Sequence, residues 1–188
     1  MKTEKQYFDE AISLKSYMDQ MKSHKENSHR IYEQFECPQD DEFIALLKTV
    51  NPEILVITED WCGDAMMNNA ILRKIAEAAD LDVRAVYRDE DTTLIDRHLT
   101  NGGRSIPKYL LLGNDGEVVA EWGPRASQLQ DYILKLRESL PSKDAPEYIE
   151  KQKEFISRIT SEYTTKPEYW LAVYEDIRKT FMPVLQNA

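Results

Sequence analysis

The sequence predicts an α/β domain, in which a central mixed sheet carries helices on both faces, with helical extensions before and after it. Two short apolar runs, 54–58 and 83–87, have the β-branched composition of buried strands. A turn signal, Asn114-Asp115-Gly116, separates two further apolar runs, as in a hairpin. The predicted units are an N-terminal helical extension over 1–50, the α/β domain over 51–140, and a C-terminal helical extension over 141–188 that packs on the rest.

Helical periodicity dominates the first fifty residues. Apolar residues spaced alternately by four and three predict one amphipathic helix near the N-terminus. After a polar break at 23–28, a second short helix is predicted over 30–35. A third is predicted over 43–50, opened by Asp40-Asp41. The residues of the first apolar stripe are Tyr7, Ala11, Leu14, Met18 and Met21.

The middle of the chain alternates strands and helices. Strands joined by a crossover helix pair in parallel and hairpin strands pair antiparallel, so both kinds of pairing are expected in one sheet. Thr92 or Thr93 is available to cap the second helix of this region. In order, the predicted elements are strand 54–58, a helix from about 65, strand 83–87, helix 92–99, strands 109–112 and 117–122, and helix 127–140.

The tail returns to a helical pattern after residue 142, punctuated by Pro146, Pro167 and Pro183. Aromatic residues on such helices more often pack against neighbouring side chains than bind a cofactor. We therefore expect the tail to pack on the N-terminal helices, beside the α/β domain. The marking residues are Tyr148, Phe155, Ile159 and Tyr163, then Trp170, Val173, Tyr174, Ile177 and Phe181.

The charge balance disfavours two classes of partner. Acidic residues outnumber basic ones by 34 to 24, a formal net charge of −10. A negative field repels phosphate backbones and anionic lipid, so neither nucleic acid nor membrane is expected as a partner. The N-terminus lacks the apolar stretch of a signal peptide, and no apolar run approaches the length of a membrane span. The predicted location is the cytoplasm; the oligomeric state is left open.

Cysteine and histidine usage indicates free thiols without a metal. The chain has two cysteines, Cys37 and Cys62, too few for a disulfide framework. The histidines, His24, His29 and His98, are scattered without zinc-ligand spacing. We expect neither a metal nor another cofactor.

Cys62 has the sequence context of a reactive thiol. It follows a buried strand and precedes an amphipathic helix, so free backbone N–H groups and the positive end of the helix dipole favour its thiolate. Trp61 would shield one side, and Gly63 lets another chain approach closely. The alternative is that Cys62 is a small apolar residue filling a gap in the core.

A second segment, Arg104-Ser105-Ile106-Pro107, directly precedes the hairpin. A proline suits the start of a strand, where no ladder N–H is needed. A cis bond at Ile106-Pro107 would aim the Ile106 backbone at the thiol and offer a substrate an edge for pairing. An ordinary trans proline fits the sequence as well.

Together these segments resemble the thioredoxin superfamily over about 54–140. A narrower resemblance, to bacterial thioredoxin-family proteins with one thiol in the motif, is carried by 58–65, 101–108 and 122–125. The resemblance implies a thioredoxin-like fold, a cis proline at Pro107, and Cys62 as the attacking thiol. The expected substrate-binding residues are Trp61, Gly63, Arg104, Ile106 and Pro107.

Two departures from thioredoxin itself matter. Ala65 stands where the second motif cysteine would be, so the usual intramolecular resolution of a mixed disulfide is lost. Val56 stands where thioredoxins carry a buried carboxylate, so that proton acceptor is absent as well. Both losses indicate a single-thiol protein. Cys37 lies outside the resembling region, and we favour a free or filler thiol over a resolving role for it.

Charged residues surround the motif. Acidic neighbours of Cys62 in the sequence oppose its ionisation, whereas arginines at strand ends can restore a low thiol pKa or hold an anionic substrate. Solvated surface charge is the alternative for the arginines. The acidic residues are Glu59, Asp60 and Asp64; the arginines are Arg88, Arg104 and Arg125.

Two functions follow from these observations. The first is a monothiol thiol-disulfide oxidoreductase, in which Cys62 attacks mixed disulfides of a protein or low-molecular-weight thiol and an external thiol resolves the product. The alternative is a non-catalytic module that binds a peptide or protein in the same groove. A peroxide- or arsenate-type cysteine enzyme is disfavoured, because no arginine closes an anion loop after Cys62.

Overall fold

A computed structural model describes all 188 residues as nine helices and five strands around one mixed sheet. The strand order across the sheet is β1-β3-β2-β4-β5. The elements are α1 (Glu4–Glu10), β1 (Ile12–Ser13), α2 (Leu14–Gln20), α3 (Lys25–Gln34), α4 (Phe43–Val50), β2 (Glu53–Thr58), α5 (Gly63–Ala79), β3 (Val83–Tyr87), α6 (Thr92–Ile95), β4 (Lys108–Leu112), β5 (Val118–Trp122), α7 (Ser127–Glu138), α8 (Tyr148–Thr165) and α9 (Pro167–Leu185).

The sheet confirms the predicted fold class. β2 and β3 pair in parallel, β2 and β4 antiparallel, and β4 and β5 antiparallel. The central strand β2 is buried from Ile54 to Thr58, as its continuous apolar run predicts. One face of the sheet packs on α1 and α6, and the other packs on α5 and most of the remaining helices.

The N-terminal stripe was predicted as one helix, and this is wrong. The chain leaves α1 at Ala11, which is extended, and Ile12 and Ser13 pair antiparallel with Ala85 and Arg84 of β3. The Ser13 side chain then accepts a 3.0 Å hydrogen bond from the Ser16 backbone N–H and caps α2. Pairing with the free edge of β3, together with the Ser13 cap, interrupts the helix although the apolar residues keep a helical spacing.

Other boundaries differ in smaller ways. α3 begins at Lys25 inside the predicted polar break, and α6 is a single turn that ends at Ile95 rather than 99. The cap of α6 is Asp91, which accepts a 2.9 Å hydrogen bond from Thr93 N–H, rather than either predicted threonine. The bounds of α4 and β3 are as predicted.

The tail helices pack on the sheet domain as well as on the N-terminal helices. α8 contacts α3 and α5, while α9 contacts α4, α5, α7 and β5. Asp176 of α9 accepts hydrogen bonds from Trp122 Nε1 at 2.8 Å and Ser127 Oγ at 2.6 Å. None of the helices is long and apolar enough to cross a membrane.

Candidate functional site

Cys62 is the N-cap residue of α5, one short loop after β2. Its backbone N–H donates to the Glu59 carbonyl, and its own carbonyl accepts from Met66 N–H at 3.0 Å, so both ends of the residue are fixed. The side chain is 9% exposed. The sulfur lies 3.5 Å from the carbonyl oxygen of Ile106, which brings the two sequence motifs into contact.

The surroundings of the Cys62 thiol disfavour its ionisation. Burial, followed by the negative charge of Asp64, raises the pKa of Cys62 to about 11. The backbone N–H groups of Ala65 and Asp64 act in the opposite direction, as does the Arg125 guanidinium, but they do not outweigh burial. The helix terminus therefore favours the thiolate as predicted, without producing a low pKa.

Trp61 is half-exposed beside the thiol, with 52% of its surface open. The guanidinium carbon of Arg88 lies 5.2 Å from the centre of the Trp61 ring, a cation–π distance. The same guanidinium donates a 2.9 Å hydrogen bond to the Arg104 carbonyl. Arg88 thus ties the Trp61 loop to the segment before Pro107.

The Arg104 side chain forms an ion pair with Asp96. Its Nε and Nη2 atoms donate to the two oxygens of Asp96 at 2.6 and 2.9 Å.

Ile106 and Pro107 are buried beside Cys62. The Ile106–Pro107 peptide bond is cis, as is Gly123–Pro124.

Asp64 and Arg125 form a partly buried ion pair next to the thiol. Arg125 donates from Nε and Nη2 to the two oxygens of Asp64 at 3.0 and 2.8 Å, and from Nη1 to Gln130 at 2.7 Å. Tyr163 of α8 donates a 2.6 Å hydrogen bond to the same carboxylate. Gln130 and Tyr163 were not recognised as site residues, since neither carries a local motif.

A buried polar network lies on the sheet side of the motif. Asn69 Nδ2 donates to Thr58 Oγ1 at 3.0 Å, and Tyr109 donates to Asn69 Oδ1 at 2.7 Å. Tyr17 OH lies 3.2 Å from the same Thr58 hydroxyl. The sequence offers one signal for this network, an asparagine within a helix that is otherwise largely apolar. Val56 itself is fully buried, and no carboxylate joins the network.

A cavity of about 310 Å³ opens beside Cys62. Its floor is the motif, where a methyl group placed on Gly63 meets no heavy atom within 4 Å. Its walls come from the Arg125 loop, α7 and α8, with His24 at the border. The tail therefore forms one wall of the site, a contact that no local sequence pattern indicates.

Cys37 belongs to a different place in the molecule. It lines a separate depression together with Pro38 and residues of α4. Burial raises the pKa of the Cys37 thiol to about 11. No group of three or more His, Cys, Asp or Glu side chains is arranged to hold a metal ion.

The sequence comparisons decide the family. A family model described as thioredoxin matches residues 11–151, three quarters of the chain. The chain belongs to the thioredoxin family. The match begins at β1 and ends in the first turn of α8, so most of α8 and all of α9 lie outside the part that defines this thioredoxin family.

Two solved structures share the fold. A protein of unknown function from Pseudomonas aeruginosa superimposes with a TM-score of 0.68 at 13% identity, covering 98% of this chain and 99% of the other. An HIV epitope scaffold superimposes with a TM-score of 0.61 at 14% identity, covering 96% of each chain. Both likenesses include the terminal helices. No curated protein matches the sequence.

Proposed function

We propose that this thioredoxin-family protein is a monothiol thiol-disulfide oxidoreductase with Cys62 as the attacking group. The observation that carries the proposal is the 3.5 Å approach of the Cys62 sulfur to the Ile106 carbonyl at the N-terminus of a 17-residue helix. A sulfur in that position meets a substrate backbone on one side and helix N–H groups on the other. The resemblance to bacterial proteins with a single thiol in the motif agrees with it.

The reaction is a two-step exchange. Cys62 loses its proton, and its thiolate attacks one sulfur of a disulfide R–S–S–R′. A Cys62–S–S–R bond forms, and R′–S⁻ leaves and takes up a proton. A low-molecular-weight thiol R″–SH then attacks as its thiolate, forming R–S–S–R″ and returning Cys62. An external thiol is needed because position 65 is an alanine and Cys37 lies elsewhere. We place this cycle in the cytoplasm, where small thiols are abundant.

The buried thiol limits the resting rate. With a pKa of about 11, the thiolate is a small fraction of Cys62 at neutral pH, so the rate of attack rises with pH up to that value. The higher intrinsic nucleophilicity of a more basic thiolate recovers part of the loss. Neutralising the Asp64 carboxylate or exposing the sulfur would accelerate the reaction.

The same burial favours a second candidate function. A module that binds a peptide or protein without reaction needs no thiolate, and a thiol that is 9% exposed suits it. In that case the exposed Trp61 ring and the backbone at Ile106 supply the contacts. The two functions differ in whether Cys62 reacts in the folded protein.

The test is adduct formation between the Cys37→Ser protein and 2-hydroxyethyl disulfide, followed by intact mass from pH 6 to 11. The proposal expects one adduct under native conditions, a rate that rises with pH, and reversal by glutathione; the double variant with Cys62→Ser stays unmodified. If the adduct forms only as fast as added urea unfolds the protein, the thiol does not react in the folded state. The binding-module function then replaces the proposal.

A further inference from the structure

The cavity beside Cys62 has the size of a small-molecule site. Its volume of about 310 Å³ lies at the lower end of the range for ligand pockets. One wall is formed by apolar side chains of α7 and α8, including Ile133, Phe155 and Ile159. The Cys62 sulfur and the open space above Gly63 form the floor. Any ligand in this cavity therefore contacts the surface that contains the Cys62 sulfur.

The two arginines at this cavity differ in whether they are free to bind a ligand. Arg125 is committed to Asp64 and Gln130 through three hydrogen bonds. Arg137, in the last turn of α7, lines the same cavity, is exposed, and forms no ion pair. An unpaired guanidinium at the border of a cavity offers a two-pronged site for a carboxylate.

We propose that this cavity binds a low-molecular-weight thiol that carries a carboxylate, with Arg137 contacting the carboxylate and Cys62 reaching the sulfur. The inference rests on the proposed function and names its substrate class. In the exchange written above, R is then the small acidic thiol: Cys62 attacks its sulfur, and the protein thiol R′–S⁻ leaves. The chain's net charge of −10 opposes any anion, so a preference for an acidic ligand must come from the local site.

Three disulfides that differ in charge distinguish an effect of ligand charge from the reactivity of the disulfide bond itself. They are anionic glutathione disulfide, neutral 2-hydroxyethyl disulfide and cationic cystamine. The rate of Cys62 adduct formation is measured in the Cys37→Ser protein and in two charge variants, Arg137→Gln and Lys135→Gln. Lys135 is the matched control, because it is an exposed cation in the same turn of α7 but does not line the cavity. Dividing each variant rate by the parent rate cancels the intrinsic reactivity of each disulfide.

The proposal expects Arg137→Gln to slow the reaction with glutathione disulfide by roughly two- to fivefold, as for an exposed ion pair, and to leave the neutral probe unchanged. Lys135→Gln leaves all three rates unchanged, and 0.5 M NaCl removes the effect of Arg137→Gln. Equal effects of the two variants, or equal slowing of all probes, would overturn the inference. The inference would also be overturned if a neutral extended peptide disulfide reacted faster than glutathione disulfide, each rate being divided by the rate of the same disulfide with a free thiol, because that would indicate a peptide groove.

A measurement without the reaction distinguishes failure of the inference from failure of the proposed function. The double variant Cys37→Ser, Cys62→Ser cannot form the adduct but keeps the cavity. Binding of S-methylglutathione to this protein, followed by NMR shifts and weakened by Arg137→Gln, supports the cavity even if Cys62 proves unreactive. Adduct formation without such binding keeps the thiol chemistry and rejects the acidic ligand.

Discussion

The hydroxyl of Tyr163 donates a 2.6 Å hydrogen bond to the carboxylate of Asp64, 99 positions earlier in the chain. Asp64 lies two residues after the thiol, and Tyr163 lies in α8, beyond the segment matched by the family model. Arg125 holds the same carboxylate from a third element. The tail is thus bonded to the residue that most directly opposes ionisation of Cys62.

The first prediction concerns Asp64→Asn. Since the Asp64 charge raises the Cys62 pKa, its removal lowers that pKa. At pH 7 a larger fraction of Cys62 is then thiolate, while each thiolate is a weaker nucleophile because it is less basic. The net effect is alkylation that is about threefold faster. The unpaired Arg125 costs about 3 kcal/mol of unfolding free energy. Iodoacetamide kinetics against pH and urea unfolding measure the two effects.

The control is Asp131→Asn, which removes an exposed charge from α7 and leaves both quantities unchanged. An unchanged Cys62 pKa in Asp64→Asn, with the expected loss of stability, would contradict the prediction. Arg125 would then neutralise the carboxylate completely in the folded protein.

The second prediction concerns Tyr163→Phe, which removes one hydroxyl and keeps the ring. A buried hydrogen bond to a charged acceptor is worth about 2 kcal/mol, so the urea midpoint falls accordingly. Tyr148→Phe on the same helix is the matched control, because its hydroxyl accepts a hydrogen bond from Gln152 Nε2 at 3.3 Å and has no charged partner. Equal midpoints for the two variants would show that the bond to Asp64 does not hold α8 in place.

The sequence predicted the sheet because its strands are short, apolar and separated by helical patterns, as at 54–58. It missed β1 because two residues carry no strand pattern; the pairing depends on the free edge of β3. It merged α1 and α2 because the helical spacing continues through Ala11. The bounds of α1, β1 and α2 are therefore set by pairing with β3 and not by local propensity.

The site divides in the same way. The contact between Cys62 and Ile106 follows from two local motifs, each recognisable in the sequence. The contacts of Asp64 with Arg125 and Tyr163 join residues 61 and 99 positions apart, and no local pattern indicates such a partner. Burial of the thiol, the largest cause of its raised pKa, is a tertiary property as well, since Cys62 belongs to the same core cluster as Phe8 and Leu94, which lie far from it in the sequence.

The third prediction concerns Asp40 and acid. Burial opposes its ionisation, but hydrogen bonds from Arg178 at 2.6 Å, Phe43 N–H at 2.9 Å and Tyr174 at 2.9 Å lower its pKa overall. A carboxyl with a lowered folded pKa stabilises the protein fully above the usual value of about 3.9. That stabilisation is lost as the pH falls through the lower folded value.

Asp40→Asn should therefore cost about 2 kcal/mol of unfolding free energy at pH 7, and the difference from the parent should shrink as the pH falls below the usual pKa of an aspartate and through the lower folded pKa of Asp40. Urea unfolding between pH 2 and 7 measures it. Asp41→Asn, an exposed neighbour without an ion pair, should follow the parent throughout. A constant difference between Asp40→Asn and the parent at every pH would show that packing, and not charge, is responsible.

The fourth prediction compares two glycines near the thiol. Gly123 has a φ of +118°, and a methyl group there would lie 2.1 Å from the Pro107 carbonyl oxygen. Neither the conformation nor the space admits a side chain, so Gly123→Ala should cost more than about 3 kcal/mol and displace the segment that faces Cys62. Gly63→Ala, with no heavy atom within 4 Å of the new methyl group, should change stability by less than about 0.5 kcal/mol.

Urea unfolding of the two alanine variants gives the stability ranking directly. The Cys62 alkylation rate adds a second measure: in Gly123→Ala it should rise, because displacement of the Pro107 segment uncovers a sulfur that is 9% exposed in the parent. In Gly63→Ala it should fall slightly, because the methyl group enters the space through which a reagent approaches. Equal stabilities would mean that the Pro107 segment yields freely, and the carbonyl that contacts Cys62 would not be held in place by the fold.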